Sequence, residues 1–223
     1  MSAIRSFIPD KVSNHTVVGF FEMMRGVQRI VKHRYRKNDA PNFAADMAHR
    51  SAVKKAGGYI EDQHSWKDMR YGLSTVSFSG CEVIAVYNAL NDLAGTDKIS
   101  MFEMVRGFER DGMVFFGIAG TSMKALERYF SSRGYHTEYS ESPAEFDDIA
   151  GRSDTMILTM YNDRNDIAAQ IHTICISKKR GLLYAHNVYC NGAVVGPADD
   201  MTGMLKIING GKAKGISLIG IRR

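Results

Sequence analysis

The stretch Ser77 to Leu90, SFSGCEVIAVYNAL, constrains this chain more than any other. A loop of Ser and Gly delivers one cysteine, Cys81. An apolar helical pattern then starts at once with Val83, Ile84, Val86, Tyr87 and Leu90. The pattern is that of a buried helix running to about Leu93 and stopping at Gly95. A thiol in its first turn sits in the positive field of the helix end. This predicts a lowered pKa and a nucleophilic thiolate.

Such a nucleophile needs a base within hydrogen-bond reach, and the base needs an orienting group. Of seven histidines, His172 opens the apolar strand pattern IHTICIS, on the face of Ile174 and Ile176. A lone histidine on an apolar strand face is more often a core residue, so spacing alone leaves both readings open. Asn187 ends the next strand pattern, LLYAHN. If the two strands pair through the turn near Gly181, its side-chain oxygen is placed to accept an imidazole proton and fix the tautomer. The alternative is that Asn187 merely closes the strand. His186 points to the opposite face and is the weaker candidate.

The order of elements sets the fold class. Val17, Phe20, Phe21, Met24 and Val31, with Val27 or Gln28, predict an amphipathic helix from about Thr16 to Tyr35. Further helices are predicted over Phe43 to Ala56, around Met101 to Phe108, and from Thr121 to Ser132. Tyr59 to Ser79 reads as a polar loop. After a short strand, Tyr135 to Ser140, and a small helix after Pro143, the texture changes to strand patterns. The main ones are Thr155 to Tyr161, Ile171 to Ser177, Leu182 to Tyr189 and Gly215 to Ile221, with a helix at Asp199 to Ile208. Helices first and strands second is the order of an α+β protein with segregated layers.

Composition narrows the classes. No apolar run approaches the ~20 residues of a membrane span. The start, MSAIRSFIPDKVSNH, has no secretory h-region. Three cysteines, Cys81, Cys175 and Cys190, lack any CxxC and fit a reducing cytoplasm rather than a disulfide scaffold. Residues 1–40 hold eight Lys or Arg against three acids, which equals the whole net charge of +5. Any nucleic-acid or anionic-surface role is confined to that segment, where little aromatic interleaving supports base stacking. A helix packed by its apolar stripe, with a solvated basic face, is the simpler reading. No histidine shows metal-ligand spacing, and no metal or cofactor is proposed.

The stretch YGLSTVSFSGCEVIAVYNAL resembles the nucleophile region of papain-like cysteine peptidases, in particular the branch of double-glycine leader peptidases of bacteriocin exporters. The order Cys81, His172, Asn187 and the helix-then-strand layout fit that family over roughly residues 70 to 190. The resemblance implies a papain-like domain over residues 66–223, with a basic helical extension over residues 1–65. It implies a Cys81, His172, Asn187 triad that cleaves a peptide or related amide bond through a thioester. The family motif continues Gly-Cys-Gly-Pro, whereas this chain has Gly80-Cys81-Glu82-Val83. Many relatives carry a glutamine about six residues before the cysteine as oxyanion donor. Here that position is Thr75, beside Ser74, and a hydroxyl with the Cys81 N–H is the expected replacement. Two rivals stand beside hydrolysis: a binding module on the same fold with a vestigial triad, and acyl transfer to an amine. Gly57-Gly58 reads as a helix stop, with self-cleavage there the remoter alternative.

Overall fold

The computed structural model describes residues 9–31, 35–95, 100–189 and 191–223; Cys190 lies outside the described residues. The chain is mixed α+β, with eight α-helices among those residues and a six-stranded antiparallel sheet.

Helix α4, Cys81–Ala94, is the centre. Eleven of its fourteen residues are buried, and Gly95 ends it at φ +79°, a conformation that glycine adopts without strain. The sheet comprises β3 (His136–Ser140), β4 (Thr155–Tyr161), β5 (Ile171–Lys179), β6 (Leu182–His186), β7 (Val195–Ala198) and β8 (Lys214–Arg222). Their spatial order is β3-β8-β4-β5-β6-β7.

Both faces of this sheet are covered. Ile157, Cys175, Ile219 and Ile221 pack with Val83, Ile84 and Val86 of α4. On the other face, Met156, Leu158, Met160, Ile174, Ile176 and Leu218 pack against α7 (Phe146–Arg152) and α8 (Met201–Ile207). Double coverage explains why β4 reads TMILTMY, with every residue buried, instead of alternating.

The first helix, α1 (Asn14–Val31), begins two residues before the predicted start. Its inward stripe is rotated from the predicted one. Val17 and Val18 pack with Met123, Tyr161 and Ile216, while Phe20 and Val27 are exposed. Polar partners on the body explain the rotation. The Glu22 carboxylate meets Arg25, Arg128 and the Ser122 hydroxyl, and Gln28 Oε1 accepts the Phe116 N–H at 2.7 Å. Arg25 is engaged by Glu22 and Asp111, so it is not part of a free basic face.

Helix α2, Asp39–Lys55, begins four residues before the predicted start at Phe43. Residues on both sides of position 66 share one core, since Tyr35, Ala45, Val53 and Ile60 join the cluster of α4. The segment read as a polar loop holds a hairpin, β1 (Arg70–Tyr71) with β2 (Ser74–Thr75), and the short helix α3 (Val76–Ser79). Gly72 in that hairpin has φ +59°, and a Cβ there would lie 2.2 Å from the Phe116 carbonyl oxygen. Strand β7 was not visible in the sequence because Gly196 and Pro197 interrupt its pattern. Proline is tolerated there because the strand is an edge. The helices α5 (Met101–Arg110) and α6 (Met123–Ser131) complete the helical layer.

Candidate active site

Cys81 is the first residue of α4 and is 8% exposed. The backbone N–H groups of Thr173, in β5, and of Glu82 favour its thiolate, and the Glu82 carboxyl opposes it; no hydrogen bond of the sulfur is found among the described residues. The thiol pKa is pushed well above its ordinary value, first by burial and then by the charge of Glu82, against the opposing pull of the Thr173 amide. The lowered pKa expected from the helix end is therefore not found. The burial of the sulfur and the neighbouring carboxyl group outweigh the partial charge of a helix terminus.

His172 directly precedes Thr173, whose N–H favours the Cys81 thiolate. The half-buried ring directs Nε2 to the backbone carbonyl of Asn187 at 2.6 Å. A carbonyl only accepts, so Nε2 carries the proton and the neutral ring leaves Nδ1 as its basic nitrogen. No hydrogen bond of Nδ1 is found among the described residues. Burial pushes the His172 pKa below its ordinary value, with the Asn187 carbonyl acting in the opposite direction.

Asn187 thus orients His172 through its main chain, not through its side chain as expected. The side-chain oxygen accepts the Gln63 N–H at 3.1 Å, and the side-chain amide donates to Gln63 Oε1 at 3.3 Å. The residue sits at φ +60°, a left-handed conformation that Asn tolerates better than most residues. That turn carries the carbonyl to the imidazole just past the end of β6.

A buried network behind the turn fixes it. Glu61 Oε2 accepts the Asn187 N–H at 2.8 Å, and Glu61 Oε1 pairs with His186 Nδ1 at 2.5 Å. His186 Nε2 meets Ser177 Oγ at 2.7 Å, and Tyr59 stacks on the His186 ring at 3.9 Å. The Tyr59 hydroxyl in turn donates to Asp92, which also accepts from Thr155. Glu61 and Gln63 were hidden in the sequence because they lie in the stretch read as polar loop. Glu82 carried a visible signal, an acid immediately after the cysteine.

Ser74 and Thr75 are half-buried in β2. Neither hydroxyl makes a hydrogen bond among the described residues, and Thr75 contributes only its carbonyl, which accepts the Ser79 hydroxyl at 3.4 Å. Cys175 is fully buried, with its thiol also pushed up by burial. A cavity of about 680 Å³ opens elsewhere, lined by Arg25, Gln28, Tyr35, Arg106 and Glu109 among others, and none of the expected site residues borders it. Among the described residues, no cluster of three His, Cys, Asp or Glu is arranged to hold a metal ion, and no helix is long and apolar enough to cross a membrane. No family model, curated protein or solved structure matches this chain.

Proposed function

We propose that this chain is a thiol hydrolase acting on a peptide or related amide bond, on a papain-like fold, with Cys81 as nucleophile and His172 as its base. One observation carries the reading. Thr173, whose N–H favours the Cys81 thiolate, directly follows His172, and the His172 ring has its Nε2 proton fixed by a carbonyl, so Nδ1 is the nitrogen that takes the thiol proton once the ring turns to the sulfur; no Cys81–His172 hydrogen bond is found among the described residues. In the reaction, His172 Nδ1 takes the thiol proton as the sulfur attacks the carbonyl carbon. The same proton then passes to the departing amine. Water, deprotonated by His172, hydrolyses the thioester and restores the thiol. Asn187 holds the imidazole by its carbonyl, and the Cys81 N–H in the first turn of α4 is one donor to the oxyanion.

The burial of Cys81 and its raised thiol pKa favour a second reading, a module that binds peptides without cutting them. A peptide library separates the two. Cleavage by the wild-type protein that is lost in Cys81→Ala and in His172→Ala supports the hydrolase. Retention of peptides on the wild-type protein without any cleavage product supports the binding module.

A further inference from the structure

Glu82 has no role in the scheme above, yet it directly follows the reacting cysteine and its carboxyl is electrostatically coupled to that thiol. It is 5% exposed, and its carboxyl group lies beside the Cys81 thiol, its own backbone N–H and the N–H of Thr121. Its Oε2 is buried without a hydrogen-bond partner. The backbone makes room for it. Gly120 runs past at φ +75°, and a Cβ on that residue would lie 2.5 Å from Glu82 Oε1. The titratable groups facing this carboxyl are Cys81 on its own helix and Tyr71 from β1, whose hydroxyl is bonded to Thr121 Oγ1 at 2.6 Å.

We propose that Glu82, as the neutral acid, is the second oxyanion donor of this site, replacing the amide that the glutamine of related sequences would supply. This rests on the thiol-hydrolase reading. The oxyanion of a tetrahedral intermediate lies two bonds from the attacking sulfur, so a donor on the residue next to that cysteine, coupled to its thiol, is placed to reach it. A carboxylic acid kept neutral by an apolar site donates a strong hydrogen bond to such an oxygen. The unpartnered oxygen provides the place for that proton, with no internal acceptor competing for it. Ser74 and Thr75, the donors expected from the sequence, make no side-chain hydrogen bond among the described residues. Burial raises the Glu82 pKa to about 7, so the donor form is present in mildly acidic solution and is lost as pH rises through that value.

Two probes of the full-length protein test this together. Iodoacetamide alkylates Cys81 without forming an oxyanion, whereas p-nitrophenyl acetate acylates it through one, and intact mass reads both. The quantity followed is the ratio of acylation to alkylation rate at each pH. In the wild-type protein the ratio falls as pH rises through about 7. Glu82→Gln keeps a permanent donor of equal size, so its ratio stays within about 10-fold of wild type and loses the pH dependence, while Glu82→Ala drops it by ~10²–10³. A wild-type ratio in Glu82→Ala, or a ratio in Glu82→Gln as low as in Glu82→Ala, overturns the assignment. If iodoacetamide leaves Cys81 unmodified in all three proteins, the thiol-hydrolase reading itself fails, and this assignment with it.

Discussion

Replacing Glu61 by Ala removes the one side chain that ties His186 to the turn at Asn187. Two hydrogen bonds to a carboxylate are lost, at 2.5 Å to His186 Nδ1 and 2.8 Å from the Asn187 N–H. Bonds to a charged group contribute about 1.5–3 kcal/mol each. The His186 side chain is 2% exposed and the Glu61 side chain 12%, so water does little to replace the missing acceptor. Removal of one partner from a buried pair costs roughly 3–5 kcal/mol, and the two estimates agree. For a chain of this size such a loss lowers Tm by roughly 6–20 °C. Glu61→Gln keeps an acceptor for the Asn187 N–H and costs about 1–2 kcal/mol. Urea denaturation of both variants measures these values. The same change releases the turn that holds the His172 Nε2 proton, so under the proposed hydrolase reading kcat falls by ~10² while KM is held. A loss below about 1 kcal/mol in Glu61→Ala, with an unchanged kcat, would show that the network neither holds the fold nor aims the imidazole.

Three further outcomes are expected. The folded-state pKa of Glu82 lies above its unfolded value, so its contribution to stability is full below about 4.5 and is lost as pH rises through about 7. Urea midpoints should fall over that window by the equivalent of roughly 3 kcal/mol, and the fall should be absent in Glu82→Gln; an equal fall in both proteins assigns it to another group. Gly72→Ala forces a side chain into a left-handed backbone and against the Phe116 carbonyl, so it should destabilise by at least ~2 kcal/mol; an unchanged Tm refutes the close approach. Phe130→Ala empties a fully buried site beside Tyr129 and Tyr135 and should cost about 3–5 kcal/mol in urea, whereas less than about 1 kcal/mol would place that ring outside the core.

The sequence reading was strongest where a pattern is local. The buried helix after Gly80, the strand Thr155–Tyr161 and the α+β layering follow from runs of apolar residues, each bounded by turn residues. It was weakest where a partner distant in the chain decides. The inward face of α1 is set by Ser122, Arg128 and Phe116, about a hundred residues away, and periodicity alone does not register them. The helix end alone predicts a lowered pKa for the Cys81 thiol, while the depth of burial and the neighbouring Glu82 raise it. Asn187 was correctly placed near His172, but strand spacing does not reveal a left-handed turn, so the carbonyl's part was assigned to the side-chain amide. His186, set aside as facing the wrong way, proves to be the buried partner of Glu61.

The proposed pairing of Cys81 with His172 is tested most directly by alkylation rates at each cysteine, read by peptide mapping in the wild-type protein and in His172→Ala. Labelling of Cys81 well before Cys175 and Cys190, slowed by about 10-fold or more without the imidazole, is the expected result. Equal labelling of all three thiols, or a Cys81 rate indifferent to the loss of His172, would contradict an activated nucleophile at the head of α4.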